Sequence, residues 1–231
     1  MRMAFTVEKY HFGTESIFER LPVKDLKLLK DQMVRMEIKK DRVLFREGNY
    51  SRGIYILRKG KIKMFQLNKS GEEQIIYIYR KGEILGYRPL LSHEVHAVSA
   101  TALDDCVISF IPKKYFLEIL ERSLPLSRSL LTNLAHEFAV WVNTFNVLAQ
   151  QPVKERVALV LLILNEKYRR NNETQVTINL SRDNMARYAR TTVETLARML
   201  RHFKDEKLIK TEGRKIIVLR PAELAKIAEF Y

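Results

Sequence analysis

The sequence predicts an α+β chain: an antiparallel β-roll, then one long helix, then a compact helical unit closed by a β-hairpin. Three observations predict it. Between Val43 and Ile111, short apolar runs are punctuated by glycine, the pattern of several short strands joined by turns. From Leu124 to Leu148, large apolar residues recur on a period of about 3.5 residues, which is a helical seam. After Pro152, two stripes of helical spacing flank a tight turn between Ser181 and Leu200, and a hairpin pattern follows.

The roll is read from the runs Phe45 to Gly48, Ile54 to Gly60, Ile62 to Leu67, Ile75 to Tyr79, Gly82 to Gly86, Val95 to Leu103 and Cys106 to Ile111. Ile62 and Met64 alternate with Lys61 and Lys63, which predicts one face inside and one in water. Cys106 sits inside an apolar run and is expected to be a buried strand residue. Beyond Pro112 the period becomes helical. Leu131, Leu134, Phe138, Trp141, Phe145 and Leu148 form the seam, which extends back to Leu124. Large apolar residues at so many consecutive seam positions suit a partner helix lying alongside, so a homodimer interface is expected here. Pro152 cannot donate into a continuing helix and marks a boundary. The expected division is 1–120 for the roll with an N-terminal helical segment, 121–151 for the dimer helix and 152–231 for the last unit.

In that unit, Pro152 to Tyr168 is expected to be an amphipathic helix with Val153, Val157, Val160, Leu161 and Leu164 on its apolar side. A polar loop at Arg169 to Glu173 leads into a short strand at Val176 to Leu180. Ser181 is a good N-cap, and Asp183 places negative charge at the positive end of the next helix. Met185, Tyr188 and Ala189 form one stripe; Leu196, Met199, Leu200 and Phe203 form the next. The two stripes can pack together, giving a helix-turn-helix. Glu194 and Arg198, four residues apart, project from a different face of the second helix, beside Val193 and Ala197. Such a face suits a DNA major groove, where Arg bonds guanine bidentately and Glu accepts from cytosine N4. Leu208 to Lys210 and Ile216 to Leu219, joined at Glu212-Gly213-Arg214, form a hairpin wing with Arg214 and Lys215 at its tip, where a phosphate would lie. The candidate DNA-binding residues are Ser181, Arg182, Thr192, Val193, Glu194, Ala197, Arg198, Arg201, Arg214 and Lys215.

Charge agrees with a polyanionic partner. The chain carries a formal charge of +14, and residues 152–231 hold 17 Lys/Arg against 10 Asp/Glu. Between Arg182 and Arg220 the balance is 11 against 5, so the excess concentrates on the helix-turn-helix and wing. The single cysteine, Cys106, rules out an internal disulfide and fits a reducing cytoplasm. No window of about 18 uncharged apolar residues exists, so no membrane association is expected.

At Val193-Glu194-Thr195 followed by Arg198, the chain resembles the cyclic-AMP receptor protein/fumarate-nitrate regulator (CRP/FNR) family of bacterial transcription factors, and the second helix is most similar to the fumarate-nitrate branch. Arg46-Glu47-Gly48, Tyr55 to Gly60 and Gly82 to Gly86 resemble the landmarks of the cyclic-nucleotide-binding β-roll. The resemblance implies a homodimeric regulator on an inverted repeat of TGA-containing half-sites, controlled by a small-molecule effector and contacting RNA polymerase. Two departures stand out. Ala197 occupies the place of a base-contacting Ser, which leaves the outermost bases open. Arg190 occupies the place of a turn Gly, which predicts a somewhat different turn, since Gly tolerates positive φ better than Arg.

In family members that bind cyclic nucleotides, a carboxylate takes the ribose hydroxyl and a guanidinium the cyclic phosphate. Here Gly86 is followed by Tyr87, Arg88 and Pro89, and the segment ends His96-Ala97-Val98-Ser99, so both groups are missing from their places. Trp141 and Val142 fall where the cyclic-AMP receptor has a Thr-Ser pair. Cyclic AMP is therefore not the expected effector. A tentative effector pocket comprises Gly86, Tyr87, Arg88, His96, Ser99 and Trp141, with Arg88 as a substitute phosphate ligand from a different position. The fumarate-nitrate regulator itself holds an iron–sulfur cluster, but one Cys cannot supply four thiolates, so no cluster is expected here. Haem remains open, with His93, His96, His136 and Met33 or Met36 as available ligands, although His93 and His96 read more simply as solvated loop residues. A haem-based gas-sensing regulator is thus the alternative within the family. No catalytic residues and no metal site are expected. A cupin-like metal enzyme would need more inward histidines than the roll has, and an RNA- or membrane-binding module would need exposed aromatics among the basic residues or an apolar interfacial helix.

Overall fold

The computed structural model describes residues 9–18, 21–169 and 175–228. It divides into two compact units, Phe12–Glu137 and Phe138–Tyr231 with the residues before Phe12, and the chain passes between them within one helix.

In the first unit, α1 (Val23–Asp31) precedes two four-stranded antiparallel sheets. One has the order β1 (Val34–Ile38), β8 (Cys106–Pro112), β3 (Gly53–Lys59), β6 (Ile84–Leu85). The other has the order β2 (Val43–Phe45), β7 (Ser99–Ala102), β4 (Ile62–Leu67), β5 (Glu73–Tyr79). A short helix, α2 (Arg88–Ser92), and α3 (Lys113–Arg122) complete the roll, and α4 (Leu124–Gln150) leaves it. Ile54, Ile56, Ile84 and Ile111 from the sheets meet Leu29, Phe116, Ile119, Leu126 and Leu130 from the helices in one apolar core. Gly86, at φ 88°, takes a left-handed backbone that favours glycine, and an added Cβ would press on its neighbours, 3.0 Å from the Tyr55 ring and 3.1 Å from the Gly53 carbonyl.

Three features of the roll differ from the sequence reading. β1 was not anticipated. It is an edge strand in which Val34, Met36 and Ile38 alternate with Arg35 and Glu37, and pairing with β8 on one side leaves it largely in water. Lys63 is buried rather than outward: its ammonium pairs with Glu73 on the neighbouring strand and lies 5.2 Å from the Phe65 ring centroid. The run Val95 to Leu103 forms a strand only from Ser99, because His93 takes a left-handed conformation (φ 59°) that ends α2 and starts an irregular loop.

In the second unit, α5 (Val153–Tyr168) is buried on every side from Val157 to Asn165 and is not amphipathic. A helix apolar all round belongs inside, and α8 (Pro221–Ala228), absent from the sequence reading, is one of the elements packed against it. Of the predicted polar loop, Arg170 to Glu173 lie outside the described residues. β9 (Thr177–Ile178) leads to α6 (Arg182–Tyr188) and α7 (Val193–Asp205). Then β10 (Ile209–Glu212) and β11 (Lys215–Val218) form the hairpin, with β11 also pairing β9.

Candidate nucleic-acid interface and sensor roll

Both helices of the helix-turn-helix are capped by side chains. Ser181 Oγ accepts the Asn184 N–H at 3.2 Å, and Thr192 Oγ1 accepts the Thr195 N–H at 3.2 Å. Asp183 and Arg187 pair at 2.9 Å along α6. Met185, Tyr188 and Ala189 are buried against Leu196, Leu200 and Phe203 of α7, as the two stripes require. The opposite face of α7 is open, with Val193, Glu194, Ala197, Arg198 and Arg201 all exposed. Hydrogen bonds from its own backbone N–H and with the Thr192 hydroxyl hold the Glu194 carboxyl below the usual carboxylate range, so it is an acceptor at neutral pH.

The wing is tied to this unit by one of the predicted DNA-binding residues. Arg182 donates from Nη1 to the Arg214 carbonyl at 3.2 Å and from Nη2 to the Gly213 carbonyl at 3.3 Å, so its guanidinium positions the hairpin turn. Arg214 and Lys215 remain exposed at the tip. The turn between α6 and α7 is not the different one expected from Arg190: this residue sits at φ 52°, in the left-handed region a glycine would favour. Two contacts hold it there. Arg156 Nη1 donates to the Arg190 carbonyl at 2.9 Å, and the Arg190 guanidinium lies 5.5 Å from the Phe145 ring centroid on α4. The spacing of α6 and α7 was legible in the sequence. This tether was not, since Phe145 and Arg190 are far apart in the chain.

The seam of α4 is narrower than its spacing predicts. Leu124, Leu131, Phe138 and Phe145, each seven residues from the next, are 60%, 67%, 70% and 59% exposed. Leu134 packs partly into the roll core, Trp141 is half-buried and Leu148 is buried.

Inside the roll, the predicted effector residues divide. Tyr87 and Arg88 converge on Glu137, a carboxylate only 2% exposed. Arg88 Nε lies 2.8 Å and Nη2 2.6 Å from Glu137 Oε2, while the Tyr87 hydroxyl donates to Oε1. Arg88 Nη1 also donates to the Tyr79 hydroxyl at 3.1 Å. Beside this cluster the Tyr77 hydroxyl meets the buried Glu83 carboxylate at 2.5 Å and the Phe12 carbonyl, and the Phe12 and Tyr77 rings stack at 4.2 Å. Burial pushes the Tyr87 hydroxyl pKa well up, so it stays a donor to Glu137. The structure therefore corrects the reading of Arg88 as a substitute phosphate ligand: its guanidinium is committed to an internal carboxylate. Glu137, fully inside and facing Arg88, is the residue the sequence reading missed; a lone carboxylate on a long helix reads as part of its solvated face.

His96 and Ser99 lie apart from the cluster. Ser99 Oγ accepts the Glu47 N–H at 3.0 Å. His96 is not a solvated loop residue: it is 3% exposed, its ring stacks on Phe45 at 3.9 Å, and burial pushes its pKa down to about 4. Trp141 belongs to the second compact unit. Among the other haem candidates, His136 is exposed on α4, Met33 packs partly into the roll core and Met36 lines a surface cleft. An iron–sulfur cluster does not fit this chain: its single thiol, Cys106, is buried in β8, where Sγ lies 3.2 Å from the Asp104 carbonyl. Among the described residues, no group of three or more His, Cys, Asp or Glu is placed to hold a metal, and no helix is long and apolar enough to cross a membrane.

A β-roll, a long helix and a winged helix-turn-helix with an open, charged second helix define a DNA-binding transcriptional regulator. The cyclic nucleotide-binding domain family matches residues 35–123, and the Crp-like helix-turn-helix domain family matches residues 155–227. The chain is similar to the transcriptional activator protein Anr of Pseudomonas protegens, 30% identical over 193 residues that cover 83% of this chain and 79% of that protein. It is also 24% identical over 202 residues to the fumarate and nitrate reduction regulatory protein of Vibrio cholerae, covering 86% of this chain and 80% of the other. FixK2 from Bradyrhizobium japonicum shares the fold, with a TM-score of 0.78 and 20% identity over 86% of this chain and 98% of that one. The chain belongs to the CRP/FNR family of transcriptional regulators.

Proposed function

We propose that the protein is a homodimer that reads an inverted repeat of TGA-containing half-sites through Glu194 and Arg198, under an effector that is not a cyclic nucleotide. The open face of α7 carries this reading. Two such helices related by a two-fold axis enter successive major grooves about 10 bp apart. In this scheme Ser181, Arg182 and Thr192 lie toward the backbone, Arg214 and Lys215 contact phosphate from the wing, and Val193, Ala197 and Arg201 flank the reading pair. Residues 1–120 serve as sensor, 121–151 as dimer helix and 152–231 as DNA-binding domain, with RNA polymerase as the partner on the promoter. The test is selection of bound duplexes from a random pool, with and without cell extract. Recovery of a two-fold motif with TGA half-sites supports the reading, and recovery of no motif removes it.

The dimer rests on the exposed stripe Leu124, Leu131, Phe138, Phe145. Phe138→Lys should raise the dimer dissociation constant about a hundredfold or more, because a paired seam would desolvate an ammonium with no partner. Sedimentation showing an unchanged dimer would take the stripe out of the interface.

The filled roll interior supports the reading of the effector. Tyr79, Tyr87 and Glu137 are buried together, and the Arg88 guanidinium that could take a cyclic phosphate is already paired with a carboxylate. Cyclic AMP and cyclic GMP are expected to give no calorimetric signal at physiological concentrations and to leave DNA affinity unchanged. A micromolar dissociation constant for either would show that the cluster opens to admit it.

A further inference from the structure

The roll has a second concave region, far in character from the Arg88–Glu137 cluster. β1 is the edge of one sheet and β2 the edge of the other, and the two do not pair. Between them lies a cleft of about 990 Å³, lined by β1, β2, the segment Gly48 to Arg52, Tyr55, His96 and Phe110. Its inner wall is aromatic. Phe45 stacks on His96 at 3.9 Å and meets Tyr55 at 6.0 Å, and Tyr55 meets Phe110 at 5.0 Å. The size and the apolar floor with a few convergent polar groups are those of a small-molecule site.

The polar groups of this cleft are incompletely used. Glu37 is paired with Arg35 at 3.1 Å, and Lys39 with Asp105 at 3.0 Å, so those charges cancel locally. Arg42 and Arg52 line the cleft with no carboxylate partner among the described residues. His96 also lines the cleft: its ring stacks on Phe45, and its nitrogens make no hydrogen bond to the described residues. Burial keeps the imidazole neutral at pH 7, so it offers one donor and one acceptor.

We propose that the cleft between β1 and β2 binds a small organic anion, a carboxylate or phosphate carried on a flat apolar body. Arg42 and Arg52 take the anionic group, since a guanidinium matches either oxyanion bidentately. The Phe45, Tyr55 and Phe110 wall takes the flat body, and His96 bonds a polar edge of it. The site shares no residue with the Tyr87–Arg88–Glu137 cluster.

The test is calorimetric titration of the full chain, without DNA, with 2-naphthoate and with 1-naphthyl phosphate, which separate the two possible anions. Inorganic phosphate and 2-naphthalenemethanol separate the anion from the flat body. At least one naphthyl anion should saturate a single site per chain, and both halves offered alone should bind about tenfold more weakly or worse. Arg42→Gln with Arg52→Gln, at exposed positions that leave the fold intact, should weaken binding about tenfold or more. His96→Phe, which keeps the stack on Phe45 and removes the nitrogens, should weaken it about threefold or more. Undiminished affinity in the double arginine variant, equal affinity for inorganic phosphate, or no binding of either naphthyl anion overturns the proposal. Because DNA takes no part, failure here leaves the DNA-reading assignment intact, and failure of the duplex selection leaves this result intact.

Discussion

Glu137→Ala should destabilise the β-roll by about 3 to 5 kcal/mol, because removing one partner of a buried ion pair leaves the other uncompensated. The carboxylate is only 2% exposed and receives Arg88 and the Tyr87 hydroxyl together, so its loss strands two donors at once. Arg88 keeps 30% of its side chain in contact with solvent, which places the expectation toward the lower end of the range. Glu137→Gln retains an acceptor for Tyr87 but sets an amide NH2 against the Arg88 guanidinium and removes its counter-charge, so about 3 kcal/mol is expected there as well. Replacing both partners by apolar groups, Arg88→Met with Glu137→Leu, should come close to neutral. Urea titration followed by hydrogen exchange at the β5 and β6 amides would read the roll by itself. A cost below about 1 kcal/mol for Glu137→Ala would mean that water reaches the cluster and that the pair contributes little.

Arg198→Ala should cost about 1–3 kcal/mol per half-site, and so about 2–6 kcal/mol on a full inverted repeat, with specificity relaxed at one G·C pair in each half. The side chain stands exposed on α7 four residues from Glu194, while Leu196 and Leu200 anchor the helix from the other side. Arg214→Ala or Lys215→Ala at the wing should instead weaken all sequences alike and flatten the salt dependence, as loss of a phosphate contact does. Binding assays on the selected site and on single-base variants of it distinguish the two patterns. Equal weakening of every sequence by Arg198→Ala, with the selected motif unchanged, would make this residue a phosphate clamp and end its role as a base reader.

What the sequence made legible was local. Caps, stripes and turn residues lie within a few positions of one another, so Ser181, the α6 and α7 stripes and the wing hairpin could be read directly. What it hid depends on partners brought from elsewhere in the chain. Lys63 follows an alternating pattern and looks outward until Glu73 of the adjoining strand supplies its counter-charge. His96 follows His93 and Glu94 in a segment that reads as a loop, and its ring is covered by Phe45, about fifty residues earlier. Arg88 and Glu137 lie on different elements, and nothing near either residue announces the other. β1 was missed for a different reason: an edge strand carrying charges on its outward side gives a weak apolar signal.

The Phe145 ring has two obligations. It belongs to the exposed stripe of α4, and it is also the platform on which the Arg190 guanidinium rests while the turn holds its left-handed backbone. Association along the stripe would clamp that ring, and through it the bend that sets the pitch of the α7 helix. A lone chain would leave the ring free to swing and the bend less firmly braced. Assembly would then sharpen the aim of each reading head besides bringing two of them together, and an isolated protomer would be a poor reader even of a single half-site.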